Sequence, residues 1–213
     1  MKSILIGTAV GLMVTASAAG ASTIDLKAFS AGNEHGVTDG TMYNIDGVNV
    51  TFSATYLGDG GRGDAYFDNG AALGVCHEES PGVSGLNGSK QCKVGSDDNL
   101  TADETVTIAF DSAMTLSGLK FLAEGHVPMI SDTLTLLFGV NGGTLSAYNF
   151  NELGTKVFNN VTSATFGFGG NQPDQYYVSA VDVARVPLPA AGLLLLSGLG
   201  GIGLAGRLRR RRG

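Results

Sequence analysis

The feature that most constrains this chain is an uncharged apolar segment near its C-terminus. Residues 190–206 contain one hydroxyl group and no charged side chain over 17 residues. As a helix with a rise of about 1.5 Å per residue, the segment covers about 25 Å, the short end of what crosses a bilayer. It is followed at once by a basic stop-transfer cluster of five arginines: Arg207, Arg209, Arg210, Arg211 and Arg212. Because such clusters stay on the cytoplasmic side, we predict one C-terminal transmembrane helix with the preceding chain outside the cytoplasm.

The N-terminus has the pattern of a secretory signal peptide. Lys2 precedes an apolar run over residues 4–14, and small residues follow as far as Ser22. Ala19-Gly20-Ala21 fits the small-residue cleavage pattern best, with Ala16-Ser17-Ala18 as the competing site. The alternative is a buried N-terminal helix. The apolar run is too short to span a bilayer comfortably, which argues against a transmembrane helix here. We therefore predict a signal peptide over residues 1–21 and export of the protein.

Residues 22–185 remain as the folded body, and their number suits a single domain. The body has 7 basic and 19 acidic side chains, which give it a formal charge of −12. A body this acidic is a poor partner for nucleic acid, which is itself a polyanion. The 33 glycines of the chain and its few long helix formers also disfavour a helical bundle.

Alternation of apolar and polar residues indicates that the body is built of strands. Residues 48–56 and 105–110 alternate with period two, which is typical of half-buried strands. Asn141-Gly142 separates the runs 133–140 and 144–150, a strong signal for a β-hairpin. Residues 162–168 and 176–185 add two more strands. We predict an all-β fold, an antiparallel β-sandwich that resembles a jelly roll.

Residues 58–99 are rich in glycine, aspartate and other turn formers, and we predict a long loop region there. The only two cysteines, Cys76 and Cys92, lie in it, and in an exported chain we expect them to form a disulfide. Metal ligation is the alternative, although two cysteines and the adjacent His77 fall short of a closed zinc site.

Two groups of acidic residues are candidates for a structural calcium site, because carboxylates in aspartate- and glycine-rich loops bind hard cations. One group is Asp97, Asp98 and Glu104, and the other is Asp59, Asp64 and Asp68. The alternative is that these side chains cap turns by accepting hydrogen bonds from nearby backbone N–H groups.

No catalytic motif stands out in the sequence. Gly82-Val83-Ser84-Gly85-Leu86 lacks the last glycine of the serine-hydrolase motif G-x-S-x-G, and no H-E-x-x-H occurs. We expect His35, His77 and His126 to lie in solvent-exposed turns. The sequence therefore predicts a protein that is not an enzyme and that needs no cofactor other than the candidate calcium.

The C-terminal motif resembles a bacterial sorting signal. Val186, Pro187, Leu188, Pro189 and Ala190 match the VPLPA variant of the PEP-CTERM family of tails, in which motif, spanning segment and arginine cluster occur in that order. The resemblance implies that residues 186–213 hold the protein transiently in the inner membrane until an exosortase-type enzyme removes them. A plain single-pass membrane anchor is the alternative.

Residues 73–110 also resemble the body domain of many proteins with such tails, through Leu73-Gly74-Val75-Cys76, Cys92, Asp97-Asp98-Asn99 and the alternation after Glu104. These resemblances imply a non-enzymatic protein of the cell surface or extracellular matrix that associates with exopolysaccharide. A carbohydrate-binding module on a jelly roll is the second hypothesis. Its sugar-stacking candidates are the aromatic residues Tyr56, Tyr66, Phe67, Tyr148, Tyr176 and Tyr177.

Overall fold

The computed structural model describes residues 20–32, 34–57, 63–76, 98–169 and 175–186, and the backbone of 79–84 and 90–92. These residues form mainly antiparallel strands, which confirms the all-β prediction. The strands are β1 (Ala21–Asp25), β2 (His35–Val37), β3 (Met42–Ile45), β4 (Val48–Tyr56), β5 (Asp64–Asp68), β6 (Ala72–Cys76), β7 (Glu79–Ser84), β8 (Lys90–Cys92), β9 (Glu104–Ala123), β10 (Thr135–Val140), β11 (Ser146–Asn149), β12 (Phe158–Gly167) and β13 (Tyr176–Arg185). Two short helices are α1 (Leu26–Ser30) and α2 (Phe150–Thr155).

The predicted signal peptide before Gly20 and the predicted tail beyond Val186 lie outside the described residues. Within the part of the chain that is described, no helix has both the length and the apolar character needed to cross a membrane.

Eleven strands form one sheet, and β9 is its central element. The 20-residue strand β9 pairs with β4 through its first half, with β13 through its second half, and with β12 along the other edge. Its apolar residues alternate towards the core, so Val106, Ile108, Met114 and Leu116 are buried. The sheet order is β11-β10-β12-β9-β13-β6-β5-β2, with β1 beside β13 and β3 beside β4.

The predicted turn at Asn141-Gly142 is confirmed. Both residues have positive φ, 55° and 67°, and Gly143 N donates to Val140 O at 2.9 Å, as in a type I′ turn. The expected second strand is shorter than predicted, because β11 ends at Asn149 and Phe150 begins α2. Asn149 caps this helix by accepting a hydrogen bond from Glu152 N at 2.6 Å.

The prediction of a long loop over residues 58–99 is wrong for residues 64–76. This segment forms the hairpin of β5 and β6, with Asp64 opposite Cys76 and Asp68 opposite Ala72. Its short apolar runs are buried on both faces, so they lack the alternation that marks a half-exposed strand. The backbone segments β7 and β8 pair with each other in a separate two-stranded sheet.

The hairpin of β5 and β6 contributes to one continuous core. Phe67 of β5 packs edge-on against Phe52 of β4, with ring centroids 5.1 Å apart. An isolated bridge between Ala54 and Gly63 also joins the end of β4 to the start of the hairpin. Strands β4 and β5 therefore contact each other although they are not neighbours in the strand order of the sheet.

Candidate functional site

Three carboxylates from distant parts of the chain form the acidic cluster, which we define as Glu34, Asp68 and Asp98. One carboxylate oxygen from each lies within 4.8 Å of the others. Glu34 precedes β2 and Asp68 ends β5, and the antiparallel pairing of His35 with Phe67 places the two acids side by side. Asp98 is held near them by its neighbours in sequence, because Asn99 O accepts a hydrogen bond from Val75 N at 3.4 Å and Leu100 bridges to Tyr176 at the start of β13.

Each carboxylate of the acidic cluster lies within hydrogen-bond distance of a tyrosine hydroxyl or a histidine ring nitrogen. The Tyr66 hydroxyl donates to Glu34 Oε1 at 2.9 Å, and the Tyr177 hydroxyl donates to Asp98 Oδ1 at 2.7 Å. His126 Nε2 lies 3.0 Å from Asp68 Oδ2. The His126 ring also packs edge-on against Tyr177, with centroids 5.8 Å apart. The cluster is therefore part of a hydrogen-bonded network.

Burial shifts the acid–base behaviour of two members of this network. The pKa of Asp68 is raised first by its burial and then by the negative charges of Asp98 and Glu34, which His126 and Tyr177 only partly offset. The pKa of Tyr177 is also raised, by burial and then by its hydrogen bond to Asp98. Tyr177 therefore stays a neutral hydrogen-bond donor over the physiological pH range.

Carboxylate oxygens at this spacing are ligands that Ca²⁺ takes in proteins, and the same spacing also suits a network of protein donors. Glu34 is exposed and Asp98 half-buried, whereas Asp68 is buried. Beside the cluster, Asn99 Nδ2 donates to Gln175 Oε1 at 2.8 Å. The buried Oδ1 of Asn99 has no hydrogen-bond partner among the described residues.

The structure combines the two predicted acidic groups in an unexpected way. It brings Asp98 to Asp68 and Glu34, whereas Glu104 accepts a hydrogen bond from Thr101 N at 2.8 Å in its own turn. Asp64 and Asp68 lie at opposite ends of β5, about 13 Å apart at about 3.3 Å per residue. Asp59 and Asp97 are outside the described residues. No sequence pattern marks Glu34 as a member of the cluster, because its position depends on the pairing of β2 with β5.

The prediction of exposed histidines is wrong for His35. This residue is 3% exposed in β2, and its ring stacks on Phe67 with centroids 5.5 Å apart. His126 does lie in a turn, where its φ is 58° and its side chain is 42% exposed. His77 falls outside the described residues.

Four of the six aromatic residues proposed for sugar stacking are buried. Tyr66, Phe67 and Tyr176 are 0% exposed and Tyr177 is 2% exposed, so none presents a ring face to solvent. Tyr176 instead donates to Gly167 O at 2.9 Å inside the core. Tyr56 and Tyr148 are half-buried, and Lys156 Nζ lies 4.6 Å from the centroid of the Tyr148 ring.

Cys76 is buried at the end of β6 and is disulfide-bonded. The side chain of Cys92 lies outside the described residues, so its pairing with Cys76 stays a prediction.

An apolar cavity of about 420 Å³ forms a second candidate site. It lies between β9, helix α2 and the segment 128–130. Its walls include Leu119, Phe121, Met129, Ile130 and Phe150, with Lys120, Asn151, Thr155 and Ser179 as polar groups. No sequence motif marked these residues, because they come together only through the packing of α2 on the sheet.

Comparisons with protein-family models, with curated proteins and with solved structures gave no match.

Proposed function

We propose that this chain is a non-enzymatic exported protein of the cell surface or extracellular matrix. In this proposal a signal peptide directs export, and the tail over residues 186–213 holds the body outside the inner membrane. An exosortase-type enzyme then removes the tail, and the mature body associates with exopolysaccharide. The motif Val186-Pro187-Leu188-Pro189-Ala190, followed by the uncharged segment and five arginines, is the basis of the proposal.

The pairing of β1 with β13 is the structural observation that supports it most. Ala21 lies opposite Ala184 and Ser22 lies opposite Val183. The proposed signal-peptide cleavage site and the start of the proposed tail therefore leave the body side by side. Val186 N also donates to Ala113 O at 3.3 Å, so the folded body continues up to the motif. This arrangement suits a body that is held at one end near a membrane.

We further propose that the single sheet folds into the two layers of a β-sandwich. Phe52 and Phe67 pack together although β9, β13 and β6 lie between their strands along the hydrogen-bonded path. Phe166 of β12 pairs with Val106 of β9, yet its ring packs edge-on against Phe121, fifteen residues further along β9, at 6.1 Å between centroids. Buried contacts between distant strands are the packing expected when a sheet folds over itself.

Substitution of the motif prolines tests the proposed processing. In the producing cell, Pro187→Ala together with Pro189→Ala should leave an uncut form in the membrane fraction, detected by immunoblot. Pro173→Ala, a proline substitution outside the tail, is the matched control and should be processed like the wild type.

Two results would contradict the proposal. Wild-type protein that keeps its tail in the membrane would indicate a plain anchor, and wild-type protein in the cytosol would exclude export. Equal processing of the motif variant and the control would remove the role assigned to the motif.

A further inference from the structure

The apolar cavity has at its wall a hydroxyl group that forms no hydrogen bond with the described part of the protein. Ser179 lies at a bulge in β13, because the register shifts between the pairs Val178–Phe121 and Ala180–Lys120. The residue is 6% exposed and lines the cavity. Its hydroxyl has no hydrogen-bond partner among the described residues. Bulges are frequent next to binding sites, where they redirect one side chain.

The cavity also has a cation that no carboxylate of the described residues neutralises. Lys120 is exposed at the cavity and forms no ion pair within the described part of the chain. Two nearby carboxylates are already engaged. Asp132 accepts a hydrogen bond from Asn151 Nδ2 at 2.6 Å, and Glu152 pairs with Lys156 at 3.0 Å. Since Ala180 pairs with Lys120, Ser179 and Lys120 lie on neighbouring positions of adjacent strands.

The remaining walls of the cavity are apolar, and one side of the cavity is open to solvent. Leu119, Phe121 and Phe150 are buried behind the cavity, whereas Ile130 at its edge is 74% exposed. A volume of about 420 Å³ lies within the range of about 300–1,000 Å³ that small-molecule sites occupy. An unbranched apolar chain would cover the exposed apolar surface.

We propose that this cavity binds a single-chain amphiphile with an anionic head group, of the fatty-acid class. The alkyl chain lies along Leu119, Phe121 and Phe150, and the carboxylate accepts hydrogen bonds from the Ser179 hydroxyl and the Lys120 ammonium group. Complementarity of charge selects a carboxylate head, because Lys120 is the cation at the cavity and has no partner there among the described residues.

Photo-crosslinking of the full-length chain tests this proposal at the level of residues. The chain is incubated in its membranes with a diazirine analogue of dodecanoate, irradiated and digested, and the labelled peptides are mapped by mass spectrometry. We expect label on residues 128–130 or 150–155, and loss of that label when unlabelled dodecanoate competes. Label confined to the apolar segment 190–206 would overturn the proposal.

Two variants at exposed positions separate binding at the cavity from general adhesion to apolar surface. Ile130→Asp should reduce labelling at least threefold, because it places a like charge beside the apolar chain and the head group. Lys120→Gln should reduce it about two- to fivefold, as expected for loss of one solvent-exposed ion pair. Met42→Asp and Lys27→Gln make the same chemical changes at exposed sites away from the cavity and should leave labelling unchanged.

Competition with dodecanol tests the head group. Dodecanol should compete less well than dodecanoate on the wild type, and the two should compete equally on Lys120→Gln. Equal competition on the wild type, or labelling that neither cavity variant lowers, would contradict the proposal. If Ile130→Asp fails to fold by circular dichroism, Lys120→Gln decides the result.

Discussion

The acidic cluster and the apolar cavity differ in how the protein satisfies their polar groups. Each carboxylate of the cluster has a ring donor from the protein, namely Tyr66, His126 or Tyr177. In the cavity, Ser179 and Lys120 have no such partner among the described residues. A hydrogen bond made inside the protein stabilises the fold, whereas the Ser179 hydroxyl and the exposed Lys120 ammonium group keep their hydrogen bonds for solvent or a ligand. The contrast concerns the three carboxylates, because Asn99 Oδ1 beside the cluster is buried without a partner among the described residues. It is consistent with a structural role for the carboxylates and with the binding proposed for the cavity.

The largest effect should come from the disulfide of Cys76, which lies at the end of β6. If Cys76 pairs with Cys92, fifteen residues lie in the loop, and closing it stabilises the fold by about 3 kcal/mol on the chain-entropy model. The double variant Cys76→Ser and Cys92→Ser should lose about this amount in urea unfolding of the mature protein. Reduced wild-type protein is the control and should lose the same amount. No loss in either sample would show that the bond does not stabilise the fold.

The second-largest effect should come from removal of one hydrogen-bond donor from the acidic cluster. Tyr177→Phe deletes the hydroxyl that donates to Asp98, and the residue is 2% exposed. Leaving this carboxylate without its donor should lower the free energy of unfolding by about 1–3 kcal/mol. Tyr148→Phe, at a half-buried ring, should change it by less than about 0.5 kcal/mol. Equal small effects would mean that the hydrogen bond in the cluster contributes nothing.

Two buried serines allow a comparison between a hydroxyl with a hydrogen-bond partner and one without. The Ser30 hydroxyl donates to Lys27 O at 3.0 Å, whereas Ser179 has no partner among the described residues. Ser30→Ala should cost about 1 kcal/mol, and Ser179→Ala should be neutral or slightly stabilising. Thermal unfolding of the two variants side by side measures the difference. A larger loss for Ser179→Ala than for Ser30→Ala would show that the Ser179 hydroxyl already has a hydrogen-bond partner in the folded protein.

The smallest effect is a pH dependence that arises at Asp68. Its pKa in the folded state is raised above the ordinary value of 3.8, so the folded state binds this proton more tightly than the unfolded state. The resulting stabilisation is fully present below pH 3.8 and is lost as the pH rises through the raised pKa. Wild type should therefore gain stability relative to Asp68→Asn as the pH falls from about 7 towards about 4. Asp111→Asn, which removes an exposed carboxylate hydrogen-bonded to Asn49, is the control for the loss of one negative charge. A difference between wild type and Asp68→Asn that stays constant with pH would contradict this shift.

The parts of the fold that sequence predicted are those that local patterns encode. Alternation in 48–56 and 105–110 identified β4 and the start of β9, and Asn141-Gly142 located a turn because both residues tolerate positive φ. The hairpin of β5 and β6 was missed since it is buried on both faces and shows no alternation.

The two candidate sites depend on contacts that no local pattern contains. Glu34 reaches Asp68 only through the pairing of β2 with β5, and Ser179 is exposed to the cavity only through a bulge against β9. The burial of Tyr66 and Tyr176 was missed for the same reason, because an aromatic residue in a strand can face either the core or solvent.

The intact mass of the mature protein from its producing cells shows whether both terminal segments are removed. We expect one species that begins at Ser22, ends near Val186 and is two hydrogens lighter than its reduced form. A species of full length with free thiols would contradict it, since both terminal segments would then remain on the protein and the body would not have been exported.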